Sequence, residues 1–116
     1  IKHIVQKHGK IQAIGASTKG NMICQFVGID NSLIECVLDN NEKKIGKVMT
    51  GSDISIVDED DWVDNLTDYI LVLPYYYVNF FSEMLSRHIS IGDSKYLVVL
   101  LPFPKLIEVK GLKKDE

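Results

Sequence analysis

Residues 11–21 read IQAIGASTKGN, and this stretch decides the fold of the chain. An apolar run ends at Gly15, a short polar loop follows, and apolar residues then recur at helical spacing from Met22 onward. The pattern therefore predicts a strand, a tight glycine turn and a helix. Where such a turn opens a helix, unpaired amides and the positive helix end favour an anion. The candidate residues for this contact are Gly15, Ala16, Ser17, Thr18, Lys19, Gly20 and Asn21.

This loop matches neither of the standard nucleotide-binding patterns. A Walker loop requires G-x-x-x-x-G-K-[ST], whereas here Lys19 precedes the second glycine. The dinucleotide fingerprint G-x-G-x-x-G fails because Ala16 and Ser17 follow Gly15. Two interpretations stay open at this point. One is a site for a phosphate or another anionic group, and the other is a plain strand–helix turn with a solvated lysine.

Length and composition indicate one domain without a strong charge bias. The chain has 116 residues, of which 46% are hydrophobic, and a formal net charge of −3. A general nucleic-acid binder would usually show a basic face, so no nucleic-acid partner is expected. No apolar run approaches the roughly 18 residues of a membrane helix, so no membrane partner is expected either. Cys24 and Cys36 lack metal-ligand spacing and are expected to be buried small hydrophobes, which fits a reducing cytoplasm.

Strand and helix patterns alternate along the chain. Helices are predicted over residues 18–28, from the acidic run at 58–61, and around 78–88; strands are predicted over 11–14, 33–38, 54–57, 69–73 and 96–101, with 106–109 as a candidate edge strand. The strands are apolar on both faces, which is typical of a parallel sheet covered by helices. We therefore predict an α/β fold, three-layer and Rossmann-like, with a mainly parallel sheet of about five strands, helices on both faces and the strand at 11–14 in the centre.

Three segments are assigned along the chain. Residues 1–9 begin in mid-pattern at Ile1 and are interpreted as the end of a linker helix from a preceding domain, stopped by Gly9. Residues 10–110 form the Rossmann-like domain, and residues 111–116 form a polar tail that we expect to be frayed.

In a parallel sheet, ligands bind beyond the carboxyl ends of the strands, so three segments should converge on one rim. They are the glycine loop, the pair Asp39 and Asn40, and the aromatic run that contains Tyr75 and Tyr76. Dinucleotide folds place an acid about twenty residues beyond the glycine loop to hold a ribose hydroxyl, and Asp39 is close to that spacing. The alternative is that Asp39 simply begins a turn.

The tyrosines supply a flat apolar wall and hydroxyls for a sugar or a base, or else they pack into the core. We find no nucleophile–base pair, no metal-spaced cluster and no acid–base dyad in the sequence. The residues alone therefore indicate a ligand-binding α/β domain, and no reaction follows from them.

Four stretches together resemble the C-terminal domain of S-adenosylmethionine-dependent sugar C-methyltransferases. They cover most of the chain, from about residue 9 to residue 109, in the order expected for that family. The stretches are IGASTKGNMICQFVGI (14–29), IECVLDNNEKKIGKVMTGSDISIV (34–57), DYILVLPYYYVNFF (68–81) and KYLVVLLPFPKLIEV (95–109).

The chain departs from the family pattern in several places. Asn41, Thr50 and Ser55 stand where prolines are usual, and Tyr75 and Tyr76 replace a tryptophan and a following polar residue. These departures are consistent with a different sugar or with a divergent member of the family.

In that family the S-adenosylmethionine site and the catalytic acid/base residues belong to the preceding domains. The resemblance therefore implies a domain with no cofactor, no metal and no catalytic residue of its own, which helps to enclose a nucleotide-linked sugar beside the preceding catalytic domains. The isolated chain is expected to be inactive and to bind neither S-adenosylmethionine nor NAD with useful affinity. Two alternatives remain: a free-standing nucleotide or dinucleotide binder, and a structural or interaction domain with a vestigial cleft.

Overall fold

A strand over Ile11–Ile14 lies in the middle of a six-stranded sheet in the computed structural model, which describes residues 1–101 and 103–114. The elements in chain order are α1 (Lys2–His8), β1 (Ile11–Ile14), α2 (Thr18–Val27), β2 (Ile34–Asp39), β3 (Ile56–Asp58), α3 (Glu59–Trp62), β4 (Tyr69–Val72), a 3₁₀ turn (Tyr75–Tyr77), α4 (Val78–Ser86), β5 (Ser94–Val99) and β6 (Lys105–Lys110). Across the sheet the strands run in the order β3-β2-β1-β4-β5-β6. The predicted position of β1 between β2 and β4 is confirmed.

The sheet is mainly parallel, as predicted, but it has six strands instead of about five. β1 pairs in parallel with β2 and β4, β2 with β3, and β4 with β5. β6 is the sixth strand, and it runs antiparallel to β5 from Val99↔Lys105 to Ser94↔Lys110. A connection this short joins antiparallel neighbours only, because a parallel crossover needs a dozen or more residues.

Alternate residues of the central strand enter two different hydrophobic cores, one on each face of the sheet. Ala13 belongs to the first core together with Cys24 of α2, and Val5 of α1 packs against it. Ile14 belongs to the second core together with Leu85 of α4. This two-sided burial is the reason why the strand sequences are mostly apolar; Gln12 of β1 is also buried, and its side chain is hydrogen-bonded to the backbone of Asn65 and Thr67.

The predicted helix ends are confirmed by the capping geometry. Ser17 is the N-cap of α2, and its side-chain oxygen accepts a hydrogen bond from the Gly20 amide at 3.0 Å. Gly28 ends the helix in the left-handed conformation, with φ 77°. Asp58 caps α3 by accepting from the Asp60 amide, so the acidic run begins a helix as expected. That helix is only four residues long.

Most of the apolar side chains of α3 and α4, and of the segment after α3, pack against the second core. Trp62 and Leu66 are half-buried against the second core, as are Phe81 and the neighbouring residues of α4. Phe80 is the exception, since 60% of it is exposed at the end of the sheet. It becomes part of the candidate site described below.

The expectation of a frayed tail is wrong for residues 111–113. Gly111, Leu112 and Lys113 donate backbone hydrogen bonds of 2.8 to 2.9 Å to carbonyls in α4 and in the loop before β5. Glycine is required at position 111 because a Cβ there would collide with the backbone oxygen of Ser90. Residues 115–116, and Pro102 in the predicted interruption after β5, lie outside the described residues. Within the part of the chain that is described, no helix is long and apolar enough to cross a bilayer.

Candidate functional site

The glycine turn after β1 is held against the segment that follows β4. Gly15 has φ +84°, and a Cβ at this position would lie 2.5 Å from Cδ of Pro74. Gly20 is equally confined, because its Cβ would lie 2.5 Å from Cβ of Leu73. Both glycines of the loop are therefore needed for close packing onto the end of β4, which brings the carboxyl ends of β1 and β4 to one rim.

Asp39, at the end of β2, reaches this turn with its carboxylate. Its Oδ2 accepts a hydrogen bond from the Ala16 amide at 2.8 Å, and its Oδ1 accepts from the Asn41 amide at 2.7 Å. The expectation that Asp39 begins a turn is therefore confirmed. The Ala16 amide, one of the groups predicted to face a ligand, already donates to a carboxylate of the protein. A carboxylate offers further lone pairs, so Asp39 can still accept from a ligand hydroxyl.

A cleft of about 330 Å³ opens beside the turn at the carboxyl ends of β1 and β2. Its aromatic wall comes from the start of α4 and the turn before it, and its two carboxylates come from β2 and α3. We call it the acid–aromatic cleft. It is lined by Gly15, Leu38, Asp39, Asn40, Glu59, Tyr77, Phe80 and Phe81. The structure thus brings together three of the residues selected from the sequence, namely Gly15, Asp39 and Asn40.

The charge of this cleft is set by Glu59 together with Asp39. Partial burial raises the pKa of the Glu59 carboxyl above its usual value, and the nearby carboxylates of Asp60, Asp39 and Asp58 raise it further. A cleft whose own carboxylate resists ionisation is a poor place for another anion. Hydroxyl groups fit better, because each can donate a hydrogen bond to a carboxylate oxygen.

Sequence reasoning missed Glu59, because the acidic run was interpreted only as a helix start. A usable signal was present. Glu59 immediately follows β3, so it lies at the same rim as the ends of β1 and β2.

The tyrosines after β4 occupy three different environments. Tyr75 is half-buried and lines a small gap beside Ile23, and Tyr76 is exposed, with its ring centroid 5.7 Å from Nζ of Lys19. Tyr77 lines the acid–aromatic cleft. Successive rings contact one another, with centroids 5.3 Å apart for Tyr75 and Tyr76 and 4.8 Å apart for Tyr76 and Tyr77. Of the three tyrosines expected to form a wall, Tyr77 lines this cleft, together with Phe80 and Phe81.

The rest of the glycine loop faces a second cavity, of about 240 Å³, on the other side of the turn. Three lysines of the loop between β2 and β3 line it, and we call it the lysine pocket. The lining residues are Ala16, Ser17, Thr18, Asn21, Lys43, Lys44, Lys47, Val48, Met49, Thr50 and Ile56. Gly20 is buried beneath the loop, and Lys19 is found in the lining of neither cavity.

Neither cysteine offers reactive chemistry. Cys24 and Cys36 are free and buried, as expected, and burial raises the pKa of each thiol to about 11. Both are therefore neutral at pH 7, whereas a nucleophilic cysteine must be a thiolate. Among residues 1–101 and 103–114 there is also no group of three or more His, Cys, Asp or Glu side chains placed to hold a metal ion.

Fold and rim together define an α/β domain with a two-sided site at the carboxyl ends of its parallel strands. The family model for the C-methyltransferase C-terminal domain matches residues 1–102, so the chain belongs to that family. This confirms the resemblance noted in the sequence. A comparison with curated proteins gives no match.

Proposed function

We propose that this chain is the C-terminal domain of an S-adenosylmethionine-dependent sugar C-methyltransferase and helps to bind the nucleotide-linked sugar whose carbon is methylated. The observation that carries the proposal is the acid–aromatic cleft at the carboxyl ends of β1 and β2, in a chain of the C-methyltransferase C-terminal family. Ligands of parallel α/β sheets bind at this end of the strands.

The order of the strands supports a Rossmann-like, three-layer arrangement. The order β3-β2-β1-β4-β5 places successive strands first on one side of β1 and then on the other, as in doubly wound sheets. The direction in which successive strands are added to the sheet reverses between β1 and β4. The glycine turn and Pro74 meet at this reversal, next to the cleft.

The chemistry of the cleft supports a ring that carries hydroxyl groups. Tyr77, Phe80 and Phe81 offer apolar faces for the carbon side of a sugar, while Asp39 and Glu59 offer acceptors for its hydroxyls. A site of this kind binds and orients a substrate. We assign the methyl-transfer chemistry to the preceding domains, as the resemblance to sugar C-methyltransferases implies.

The same residues do not fit S-adenosylmethionine or a dinucleotide on this domain. The glycine loop lacks the G-x-G-x-x-G pattern that lets the backbone approach the pyrophosphate of a dinucleotide. We propose that the cofactor lies in a preceding catalytic domain. α2 supports such a partner, since Met22, Phe26 and Val27 are exposed apolar residues on this one helix, which a neighbouring domain can cover. The free, buried cysteines fit a cytoplasmic location.

Steady-state kinetics of the complete methyltransferase test the substrate role. Phe80→Ala removes an exposed ring from the cleft wall, so the fold should survive. The loss of aromatic contact, worth about 1–1.5 kcal/mol, should raise KM for the nucleotide-linked sugar roughly five- to tenfold and leave KM for S-adenosylmethionine unchanged. Ile91→Ala is the matched control, because Ile91 is 58% exposed and lies before β5, at the opposite end of the sheet.

An unchanged KM for the sugar in the Phe80 variant, or an equal change in the control, would contradict the substrate role. Calorimetric titration of the isolated chain tests the cofactor assignment separately. Micromolar binding of S-adenosylmethionine or NAD would favour a free-standing cofactor binder instead.

A further inference from the structure

The lysine pocket is a concentration of positive charge in a chain whose formal net charge is −3. Lys43, Lys44 and Lys47 all line it, and no acidic residue of the described part of the chain does. The ion pairs within residues 1–101 and 103–114 include neither Lys43 nor Lys47. Both side chains are exposed, so both charges are available to a ligand.

The walls of this pocket are fixed, although the loop that forms them has little regular structure. Nζ of Lys44 donates to the Ala16 carbonyl at 2.6 Å, and Nε2 of Gln25 donates to the Thr50 carbonyl at 2.6 Å. Met49 anchors the loop in the first core, where it is nearly inaccessible to solvent. Contacts of this kind hold Lys43 and Lys47 beside the start of α2 before any ligand arrives, which lowers the ordering cost of binding.

We propose that the lysine pocket binds the diphosphate of the nucleotide-linked sugar, with Lys43 and Lys47 as its charged ligands. The Ser17 and Thr18 hydroxyls line the same pocket and can donate to phosphate oxygens. Lys44 has a different role, because its ammonium group already donates to the Ala16 carbonyl and positions the loop. This inference rests on the proposed function and adds to it the site at which the diphosphate of the ligand binds.

The two cavities border the same turn. Gly15 lines the acid–aromatic cleft and the next residue, Ala16, lines the lysine pocket, so a single peptide unit separates them. In a nucleotide-linked sugar one end of the diphosphate is bonded through oxygen to the anomeric carbon of the sugar ring, and the other end to the 5′-methylene group of the ribose. In the proposed site a diphosphate among the lysines directs one of these two rings toward Asp39 and Glu59.

Titration of the whole chain with inorganic diphosphate, at constant ionic strength, tests the charged end by itself. In the double variant Lys43→Gln/Lys47→Gln we expect the Kd for diphosphate to rise at least tenfold. The control Lys105→Gln/Lys110→Gln removes the same charge from exposed positions on the edge strand β6, and should change the Kd less than twofold. Amide NMR shifts in the wild type should move at Ser17, Thr18 and Lys47. Equal losses in the two double variants, or shifts confined to the acid–aromatic cleft, would overturn the inference.

Two further arms identify the ring and separate this inference from the proposed function. A sugar 1-phosphate that shifts Tyr77 and Phe80 places the sugar in the cleft, and a nucleoside diphosphate that shifts them places the ribose there; if neither does, the joint site is refuted. In the complete enzyme the lysine double variant should raise KM for the nucleotide-linked sugar tenfold or more. If that KM is unchanged while Phe80→Ala raises it, the lysine assignment fails and the proposed function stands. If neither variant changes it, both fail.

Discussion

The two cavities on either side of the Gly15–Ala16 turn carry opposite charge, although only a single peptide unit separates them. On one side, Asp39 and Glu59 make an acidic cleft with an aromatic wall; on the other, three lysines line a pocket without an acidic residue among those described. The backbone of Ala16 explains the arrangement. Its amide donates to Asp39 at 2.8 Å, and its carbonyl accepts from Lys44 at 2.6 Å.

This difference shows how a short turn sorts charge between two neighbouring cavities. Ala16 has one amide donor and one carbonyl acceptor, and in this turn the amide binds a carboxylate while the carbonyl binds an ammonium. Each charged side chain then contributes to the cavity on its own side. A ligand with an uncharged ring and a charged diphosphate matches both sides, and the four variants below test this comparison.

The largest expected effect comes from the turn itself. In Gly15→Ala the new Cβ meets Pro74 at 2.5 Å, in a residue whose φ is +84°. The left-handed strain of about 1–2 kcal/mol and overpacking of about 1–3 kcal/mol should lower the free energy of unfolding by about 2–5 kcal/mol in urea denaturation. Gly92→Ala is the control, because φ there is +97° but nothing lies within 4 Å of a Cβ. It should show the strain alone, and equal losses would refute the contact with Pro74.

Removing the charge on the acidic side should have the next largest effect. In the wild type, two backbone amides donate to the two oxygens of the Asp39 carboxylate. Asp39→Asn leaves a single carbonyl oxygen to accept both hydrogen bonds, so we expect a loss of about 1.5–3 kcal/mol in unfolding free energy. Asp30→Asn is a matched control. The Asp30 carboxylate accepts from the Ser32 amide at 2.9 Å and from the Ser32 hydroxyl at 2.6 Å, both within a local turn, and among the described residues it makes no side-chain hydrogen bond to another strand. A loss at Asp30 as large as at Asp39 would mean that the bond across the turn adds nothing.

Glu59→Gln should change the pH dependence of stability. The pKa of Glu59 is raised in the folded protein above the reference value of 4.5, so below pH 4.5 its carboxyl is protonated in both states. As pH rises through the folded pKa, the unfolded state has already released its proton and the wild type loses stability. The variant should therefore match the wild type near pH 4 and be more stable at pH 7, in urea denaturation across that range. Asp61→Asn, a change at an exposed neighbour in the same helix, should give no such divergence, and parallel curves for the Glu59 variant would contradict the acidic character of the cleft.

The smallest effect is expected at Lys19. If this lysine contacts the ligand, Lys19→Ala should weaken binding ten- to hundredfold, through the loss of a charge-assisted hydrogen bond of about 1.5–3 kcal/mol. The structure instead places Nζ 5.7 Å from the Tyr76 ring centroid, outside the lining of both cavities. An exposed contact of this type is worth about 0.5–1 kcal/mol, so we expect less than a fivefold change in KM for the nucleotide-linked sugar in the complete enzyme. A change as large as that of the Lys43/Lys47 double variant would move the anion site to Lys19.

The glycine turn and the helix caps were predictable because each depends on a few adjacent residues. Ser17 caps α2 by bonding an amide three residues away, and Gly28 ends that helix because glycine tolerates the left-handed conformation. The central place of β1 was also predictable, from the alternation of strands with helices and from strands that are too apolar to face water. The antiparallel edge strand was less visible in the sequence. Its Leu106 is exposed and its alternation is weak, so the pairing with β5 defines it.

The candidate site was only partly predictable. Gly15, Asp39 and Asn40 were found because strand ends in a parallel sheet share one rim. Glu59 was missed because its place in the first turn of a helix already explained why an acidic residue stands there. The tyrosine run was expected to supply a wall, but which of its three members lines the cleft depends on the 3₁₀ turn, which three identical tyrosines do not reveal.

The amino-acid sequence by itself determined the α/β class, the parallel core, the glycine turn and the resemblance to the C-methyltransferase C-terminal domain. These properties depend on patterns of burial, capping and spacing among residues that are close together in the sequence. Only the tertiary structure decided which charges face which cavity. Lys43 and Lys47 lie in a long loop whose path depends on contacts with Ala16 and Gln25, more than twenty residues away. No local pattern encodes such a path, because it results from the packing of the whole sheet.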